Sequence, residues 1–183
     1  MQACADAMHW PTGAVSVNIS PIQFERADVE GEICLALSRS GLPASRLCVE
    51  LTESAFLDNG GRSQAKMAAV RAIGVSIALD DFGTGYSSMS YLADLPLDKL
   101  KIDQSFVRRM TADHGVFEIV KAIVSLAHGL GLEIVAEGVE GTAEQALLRE
   151  LHCATGQGYL FGRPQPPDEM LAAFGFGPER RSA

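Results

Sequence analysis

The sequence has few cysteines, few aromatic residues and no Cys-x-x-Cys pair. Its four cysteines do not show the spacing of a disulfide framework. Cys34 and Cys48 lie in apolar segments, so we expect both to be reduced core residues, as in a cytoplasmic protein.

The chain also lacks an excess of basic charge and a long apolar run. Its net charge of −8 argues against a partner such as DNA or RNA, because nucleic-acid binding proteins present a basic face. An acidic protein can still bind phosphates when metal ions supply positive charge. No segment approaches ~18 apolar residues, so a membrane tether of the full-length protein would lie outside this sequence.

The 183 residues, 47% of them apolar, are typical of one domain with enough material for a core. No low-complexity linker divides the chain. We therefore treat residues 1–183 as a single domain that ends in a predicted helix at 167–174 and a disordered tail at 175–183.

Six predicted strands alternate with helical segments along the chain. The strands are predicted at 14–19, 46–51, 75–80, 98–103, 132–137 and 154–159. The helix after the fifth strand is predicted to open with a capping box that begins at Thr142 and ends at Gln145. Regular alternation predicts parallel strands joined by helical crossovers. An open doubly wound sheet and a (β/α)₈ barrel are both compatible with it.

Polar residues at the carboxyl ends of the strands favour the barrel. They are Asn18, Glu50, Asp80, Lys101, Glu137 and Gln157. A barrel gathers such ends into one ring, whereas an open sheet spreads them along a line. A full barrel has eight strands and ~250 residues. The fold class predicted is therefore α/β, a modified TIM barrel with about six of its eight β/α units present.

The pair Asp80-Asp81 ends an apolar strand and is followed by a glycine-rich turn. Neighbouring residues of a strand point to opposite faces, so both carboxylates reach one site only if the chain bends. Gly83 and Gly85 are predicted to allow that bend. The alternative is an acidic loop that caps the next helix, predicted at 86–95.

The strand ends offer oxygen ligands from Asn18, Glu50, Asp80 and Asp81. Such ligands suit Mg²⁺, Mn²⁺ or Ca²⁺ rather than zinc. Two such ions ~3.5–4 Å apart are the usual arrangement for displacement at phosphorus. Lys101 would add a fixed positive charge, and Glu137 would be a ligand or a general base. Each residue taken alone also has a purely structural interpretation: Glu50 could be a solvated charge at a strand end, and Lys101 an ion-pair partner for Asp103.

Six ordered motifs resemble the EAL domain, the cyclic-di-GMP phosphodiesterase of bacterial signalling. They are Val17-Asn18-Ile19-Ser20, Glu50-Leu51-Thr52-Glu53, Asp80-Asp81-Phe82-Gly83-Thr84-Gly85, Lys101-Ile102-Asp103, Glu137-Gly138-Val139-Glu140 and Gln157-Gly158-Tyr159-Leu160-Phe161. The resemblance implies hydrolysis of cyclic-di-GMP to linear pGpG with two Mg²⁺ or Mn²⁺ ions. It implies that Asn18, Glu50 and Asp80 are metal ligands, with Asp80 bridging to a second ion bound by Asp81.

The resemblance also assigns the remaining site residues. Lys101 orients the hydrolytic water, and Glu137 is a ligand or an acid–base group; with Asp81 these form the catalytic set. Gln157 supports the site, and Glu53 anchors the loop 81–88. That loop and its following helix are associated with a homodimer in the family, and a sensory or GGDEF-type domain is expected upstream.

The Glu-Ala-Leu triplet that gives the family its name is not in this sequence. Because only seventeen residues precede Asn18, we expect the chain to be the C-terminal three-quarters of the domain, without its first strands and one metal-binding Glu. We therefore expect little or no hydrolysis by residues 1–183 alone. The alternative is a non-catalytic module that binds cyclic-di-GMP or a protein partner.

Overall fold

The computed structural model describes residues 13–26, 28–56, 61–85, 92–166 and 169–170. Within them the strands are β1 (Val15–Asn18), β2 (Leu47–Thr52), β3 (Ser76–Phe82), β4 (Lys99–Ile102), β5 (Glu133–Ala136) and β6 (Thr155–Gly156). The helices are α1 (Pro21–Arg26), α2 (Val29–Ser40), α3 (Arg62–Ala72), α4 (Gln104–Arg109), α5 (His114–Gly129) and α6 (Thr142–Glu150). The tail at 175–183 lies outside the described residues, as do most of the helices predicted at 86–95 and 167–174.

The six strands form one parallel sheet. Each strand pairs with the next one along the chain, in the order β1-β2-β3-β4-β5-β6. With helices in the crossovers, the described sheet is an incomplete barrel, and β1 and β6 are its two edges. This confirms the predicted α/β class and an incomplete, TIM-barrel-like architecture.

The core lies between the sheet and the surrounding helices. Strand side chains such as Leu51, Ile77 and Leu100 have no exposed surface. Met67 of α3 and Val120 of α5 are equally buried. Parallel sheets are covered on both faces, which explains why the strands are almost continuously apolar until their last residues. No helix of the described part of the chain is long and apolar enough to span a membrane.

Two local predictions were wrong. Cys34 is exposed, whereas Cys48 is buried, because α2 turns Val29 and Ile33 inward and places Cys34 beside that face. The capping box does not form: Gly141 occupies the N-cap of α6 without a side-chain hydrogen bond, and Thr142 is the first helical residue.

Candidate active site

A buried lysine joins the carboxyl ends of four neighbouring strands. The Nζ of Lys101 lies 2.6 Å from Glu50 Oε2, 2.8 Å from Asp80 Oδ1 and 2.6 Å from Glu137 Oε1. The Lys101 side chain is 6% exposed. The parallel strands bring these residues to one edge of the sheet, so the structure places four of the predicted site residues in direct contact.

Asp81 joins this group because the backbone turns at its own position. β3 continues to Phe82, and its register with β4 shifts between Leu79 and Phe82. Asp81 has a φ of 54°, which is uncommon for a residue other than glycine. The bend therefore begins at Asp81, two residues earlier than predicted, and continues at Gly83, whose φ of 100° is the glycine conformation that the sequence predicted.

The turn at Asp81 brings three carboxylates together. One oxygen atom from each of Asp80, Asp81 and Glu137 lies within 4.8 Å of the others. Asp80 is also among the groups that contact Lys101. The ammonium group and the three-carboxylate group therefore share one site.

The electrostatics of the site follow from burial and crowding. Burial alone would lower the pKa of Lys101, but its hydrogen bonds to Asp80, Glu137 and Glu50 raise that pKa above its ordinary value. Burial raises the pKa of Glu137; Lys101 opposes this increase, and the charges of Asp80 and Glu50 add to it. Lys101 therefore offsets only part of the effect of burial and negative neighbours on Glu137.

The glycine turn is held by Glu53, which lies just after β2. Its Oε1 accepts a hydrogen bond from the backbone N–H of Gly83 at 3.1 Å. A Cβ placed on Gly85 would collide with the Glu53 carboxylate, so only glycine allows this close approach. The part of the 81–88 loop beyond Gly85 lies outside the described residues.

Two other predicted residues lie away from the Lys101 contacts. Asn18 is exposed at the end of β1, opposite Glu50 in the strand register, and lines a separate cavity of about 250 Å³. Gln157 is exposed just after β6, where its backbone N–H donates to Ala136 and its carbonyl accepts from Val139. Both side chains lie at strand ends flanking the central group.

Asp103, considered above as a partner of Lys101, lies beside Asp81 instead, and Lys101 pairs with Glu50, Asp80 and Glu137. Asp103 is 9% exposed and caps α4, with its Oδ1 accepting hydrogen bonds from the backbone N–H and the hydroxyl of Ser105. Burial is the main cause that raises the pKa of Asp81, and the charges of Asp80 and Asp103 raise it further. The available sequence signal was an N-cap residue directly after a strand.

The residues present fit a divalent cation. The carboxylates of Glu50, Asp80 and Glu137 contact the ammonium group of Lys101, and those of Asp81 and Asp103 lie next to this group. All of these ligands are oxygen atoms, which suit Mg²⁺, Mn²⁺ or Ca²⁺ rather than zinc. The oxygen ligands and the excess of negative charge therefore both favour a divalent cation at this site.

The sequence matches the family model described as the EAL domain over residues 1–164. It is 41% identical over 177 residues to MucR of Pseudomonas aeruginosa, a bifunctional diguanylate cyclase/cyclic di-GMP phosphodiesterase. That match covers 94% of this chain and 26% of MucR. The chain spans 21% to 28% of the lengths of such curated relatives.

Solved structures show the same likeness. A MucR phosphodiesterase complex with c-di-GMP has a TM-score of 0.87 and 40% identity, covering 93% of this chain and 71% of that one. The EAL domain of Mycobacterium smegmatis DcpA has a TM-score of 0.90 and 34% identity, with 96% and 82% covered. Klebsiella pneumoniae BlrP1, solved with manganese and cyclic-di-GMP, has a TM-score of 0.81 and 32% identity, with 88% and 42% covered.

Proposed function

We propose, from the premise that this chain belongs to the EAL domain family, that it is a phosphodiesterase module for cyclic-di-GMP, with linear pGpG as the product. The observation that carries the proposal is the contact of Lys101 with Glu50, Asp80 and Glu137 beside the carboxylate of Asp81. Relatives that combine this fold with high sequence identity are named cyclic-di-GMP phosphodiesterases. We extend the cyclic-di-GMP phosphodiesterase activity of these relatives to residues 1–183.

We assign the metal ligands as follows. Glu50 and Asp80, with Asn18 at the neighbouring strand end, would hold one Mg²⁺ or Mn²⁺ ion. Asp80, Asp81 and Glu137 would hold a second. Bound there, such ions neutralise phosphate charge and make a water molecule more acidic.

The protein's own side chains orient the water, accept its proton and hold the site in shape. Lys101 is fixed by its three contacts, so its ammonium group orients the attacking water and faces the phosphate oxygens. Burial raises the pKa of Glu137 above its ordinary value, which makes its carboxylate a better proton acceptor. Glu53 holds the glycine turn, and Gln157 supports the rim of the site.

The test is to measure metal binding, cyclic-di-GMP binding and pGpG formation with residues 1–183. We expect metal-dependent binding and pGpG as the product, formed slowly, in line with the expectation from the sequence. Asp80→Asn should abolish metal binding and turnover, because Asp80 belongs to both carboxylate groups. Glu118→Gln, on the exposed side of α5, is the matched control.

The results separate the two functions considered. Binding of cyclic-di-GMP that needs no divalent metal and yields no pGpG would favour a non-catalytic receptor. Rapid hydrolysis would contradict the expectation of an impaired chain, and absence of both binding and turnover would reject the proposal.

We also propose how the module assembles and where it works. The motif at 81–88 suggests a homodimer through that loop and the helix after it. Family membership suggests a cytoplasmic module preceded by a sensory or GGDEF-type domain. Molar mass measured by light scattering, with and without cyclic-di-GMP, tests the homodimer; a monomer under both conditions rejects it.

A further inference from the structure

The end of β3 contains one residue more than the matching part of β4. Leu79 pairs with Leu100 of β4. Three residues later, Phe82 pairs with Ile102, which is only two residues beyond Leu100. Such an extra residue is a β-bulge, which bends the strand and redirects a side chain. The bulge contains Asp81 with its left-handed φ of 54°, so the direction of the Asp81 carboxylate depends on it.

An aspartate keeps a left-handed conformation only where its surroundings hold it there. The Asp81 N–H donates to Asp80 Oδ1 at 3.1 Å, and the Thr84 hydroxyl donates to the Asp81 carbonyl at 2.9 Å. The Glu53 carboxylate accepts from the Gly83 N–H, as described above. The hydrogen bonds of Thr84 and Glu53 are exposed, so water competes with them. An apolar contact from a fixed element would therefore add a restraint that water does not weaken.

Phe106 of α4 supplies such a contact. A Cβ placed on Gly83 would lie 2.8 Å from Cε2 and 3.1 Å from Cζ of Phe106, so the ring lies directly against the Gly83 backbone. The Phe106 side chain is partly buried and packs against the core. Without the ring, the turn that follows Asp81 would have space into which to relax.

α4 is itself fixed to the sheet, which gives the ring a defined position. The helix begins at Gln104, two residues after the end of β4. The Asp103 carboxylate accepts a hydrogen bond from the Ser105 N–H at 2.9 Å. Val107, next to Phe106, has no exposed surface. A side chain on such an anchored helix supports a neighbouring site better than one on a loop.

Resting on the proposed function, we propose that Phe106 is a positioning residue for the second metal ion. Its ring supports Gly83, and this contact keeps Asp81 in its left-handed conformation. The Asp81 carboxylate then completes the three-carboxylate group. A phenyl ring offers no ligand for a hard cation, so Phe106 acts only through Asp81. The ligands proposed for the first ion precede the turn, so that ion should not depend on Phe106.

The experiment measures Mn²⁺ binding to residues 1–183 by calorimetry and by electron paramagnetic resonance. We expect the unmodified chain to bind two ions. Phe106→Ala should weaken the second ion about tenfold and leave the first unchanged, because loss of a group that orients a ligand lowers metal affinity. Phe106→Leu keeps an apolar side chain beneath the turn and should restore most of that affinity.

The matched control is Phe117→Ala in α5. Phe117 is likewise a partly buried phenylalanine that packs against the core, and its ring stacks on His114. Its removal should lower the melting temperature, as Phe106→Ala does, but leave the affinities for both ions unchanged. Circular dichroism shows whether each variant is folded, and Phe106→Val replaces Phe106→Ala if that variant does not fold.

The outcomes separate positioning from general stability. Equal weakening of both ions by Phe106→Ala, or a weakening that Phe117→Ala reproduces, would reject the role of Phe106. Unchanged Mn²⁺ binding by Phe106→Ala would also reject it and leave the proposed function intact. A single bound ion in the unmodified chain would reject the inference, and absence of any bound ion would reject the proposed metal centre as well.

Discussion

At the residue scale, the main feature is the neutralisation of buried carboxylates by Lys101. Its three partners come from three different strands or strand ends, and all are largely buried. Removing one member of a buried ionic group costs more than the group contributes when intact, because the remaining charges stay buried. The residue therefore affects stability as well as chemistry.

Replacing Lys101 by Met should lower the free energy of unfolding by about 3–5 kcal/mol. Lys99→Met, on the same strand, should cost at most about 1 kcal/mol, because its pair with Glu133 is partly exposed. Urea unfolding measures both. Mn²⁺ should restore part of the loss in Lys101→Met; equal losses in the two variants would contradict the prediction.

Replacing Gly85 by Ala should displace the Glu53 carboxylate and release Gly83 from it. We expect turnover to fall at least about tenfold while the melting temperature changes little, because catalysis depends on exact positioning of groups. Gly129→Ala in α5 is the control, since an added Cβ there meets no atom within 4 Å. Unchanged pGpG formation by Gly85→Ala would show that the loop contact does not matter.

Much of the site was predictable at this scale, but not its local geometry. Glu50, Asp80, Lys101 and Glu137 were predicted to lie together because each is at or near the end of a predicted strand, and the structure places them in contact. The left-handed turn at Asp81 was not, because two neighbouring glycines offered a simpler bend. The position of Asp103 beside Asp81 depends on the register shift between β3 and β4, which no local pattern encodes.

At the scale of single elements, helix ends show where sequence patterns succeed and fail. The helical spacing of six apolar residues predicts α5 and its buried face: Val116, Ile119, Val120, Ile123, Ala127 and Leu130. Four of them are buried, Val116, Val120, Ile123 and Ala127, but Ile119 is 47% exposed. The capping box at Thr142 matched a motif but is not formed. The cap of α5 is made by Asp113, whose carboxylate accepts from Gly115 and Val116. Capping depends on where the preceding loop enters, which the sequence alone leaves open.

The cap of α5 should make stability depend on pH. The hydrogen bond from the Val116 N–H is the main cause that lowers the pKa of Asp113, with smaller contributions from Arg109 and Gly115. A lowered pKa means that the charged cap stabilises fully above the unfolded value, near about 4, and that the contribution is lost as pH falls through the folded value.

Asp113→Asn keeps a capping acceptor without the charge. Its melting temperature should lie below that of the unmodified chain at neutral pH, and the difference should shrink below about pH 4. Asp113→Ala should be less stable than Asp113→Asn at every pH. A difference between Asp113→Asn and the unmodified chain that does not change with pH would contradict the assignment of the charge effect to Asp113.

At the scale of the whole molecule, one sheet organises both core and site. The alternation of elements predicted parallel strands, and polar strand ends predicted that they curve toward one another. The parallel pairing of each strand with the next confirms the first prediction. The likeness to solved EAL domains and the contacts of Lys101 across three strands confirm the second. The length of β6, only two residues, was not predictable, because backbone pairing at a sheet edge depends on the partner strand.

The core prediction at this scale concerns Leu100 of β4, which has no exposed surface. Leu100→Ala should lower the free energy of unfolding by about 2–5 kcal/mol, through lost burial and the cavity left behind. Leu35→Ala on α2, where the side chain is 47% exposed, should cost about 0.5 kcal/mol or less. Urea denaturation separates the two; a similar midpoint for both variants would place Leu100 outside the core.

The contacts of Lys101 also constrain the order of events during folding. Lys101 and Glu50 are 51 positions apart in the sequence, and no local segment can bring them together. Such distant pairings form late, after the loops between them have closed. A refolding chain should therefore recover helix content and core burial before it regains the ability to bind Mn²⁺, and metal binding becomes a kinetic marker for completion of the sheet.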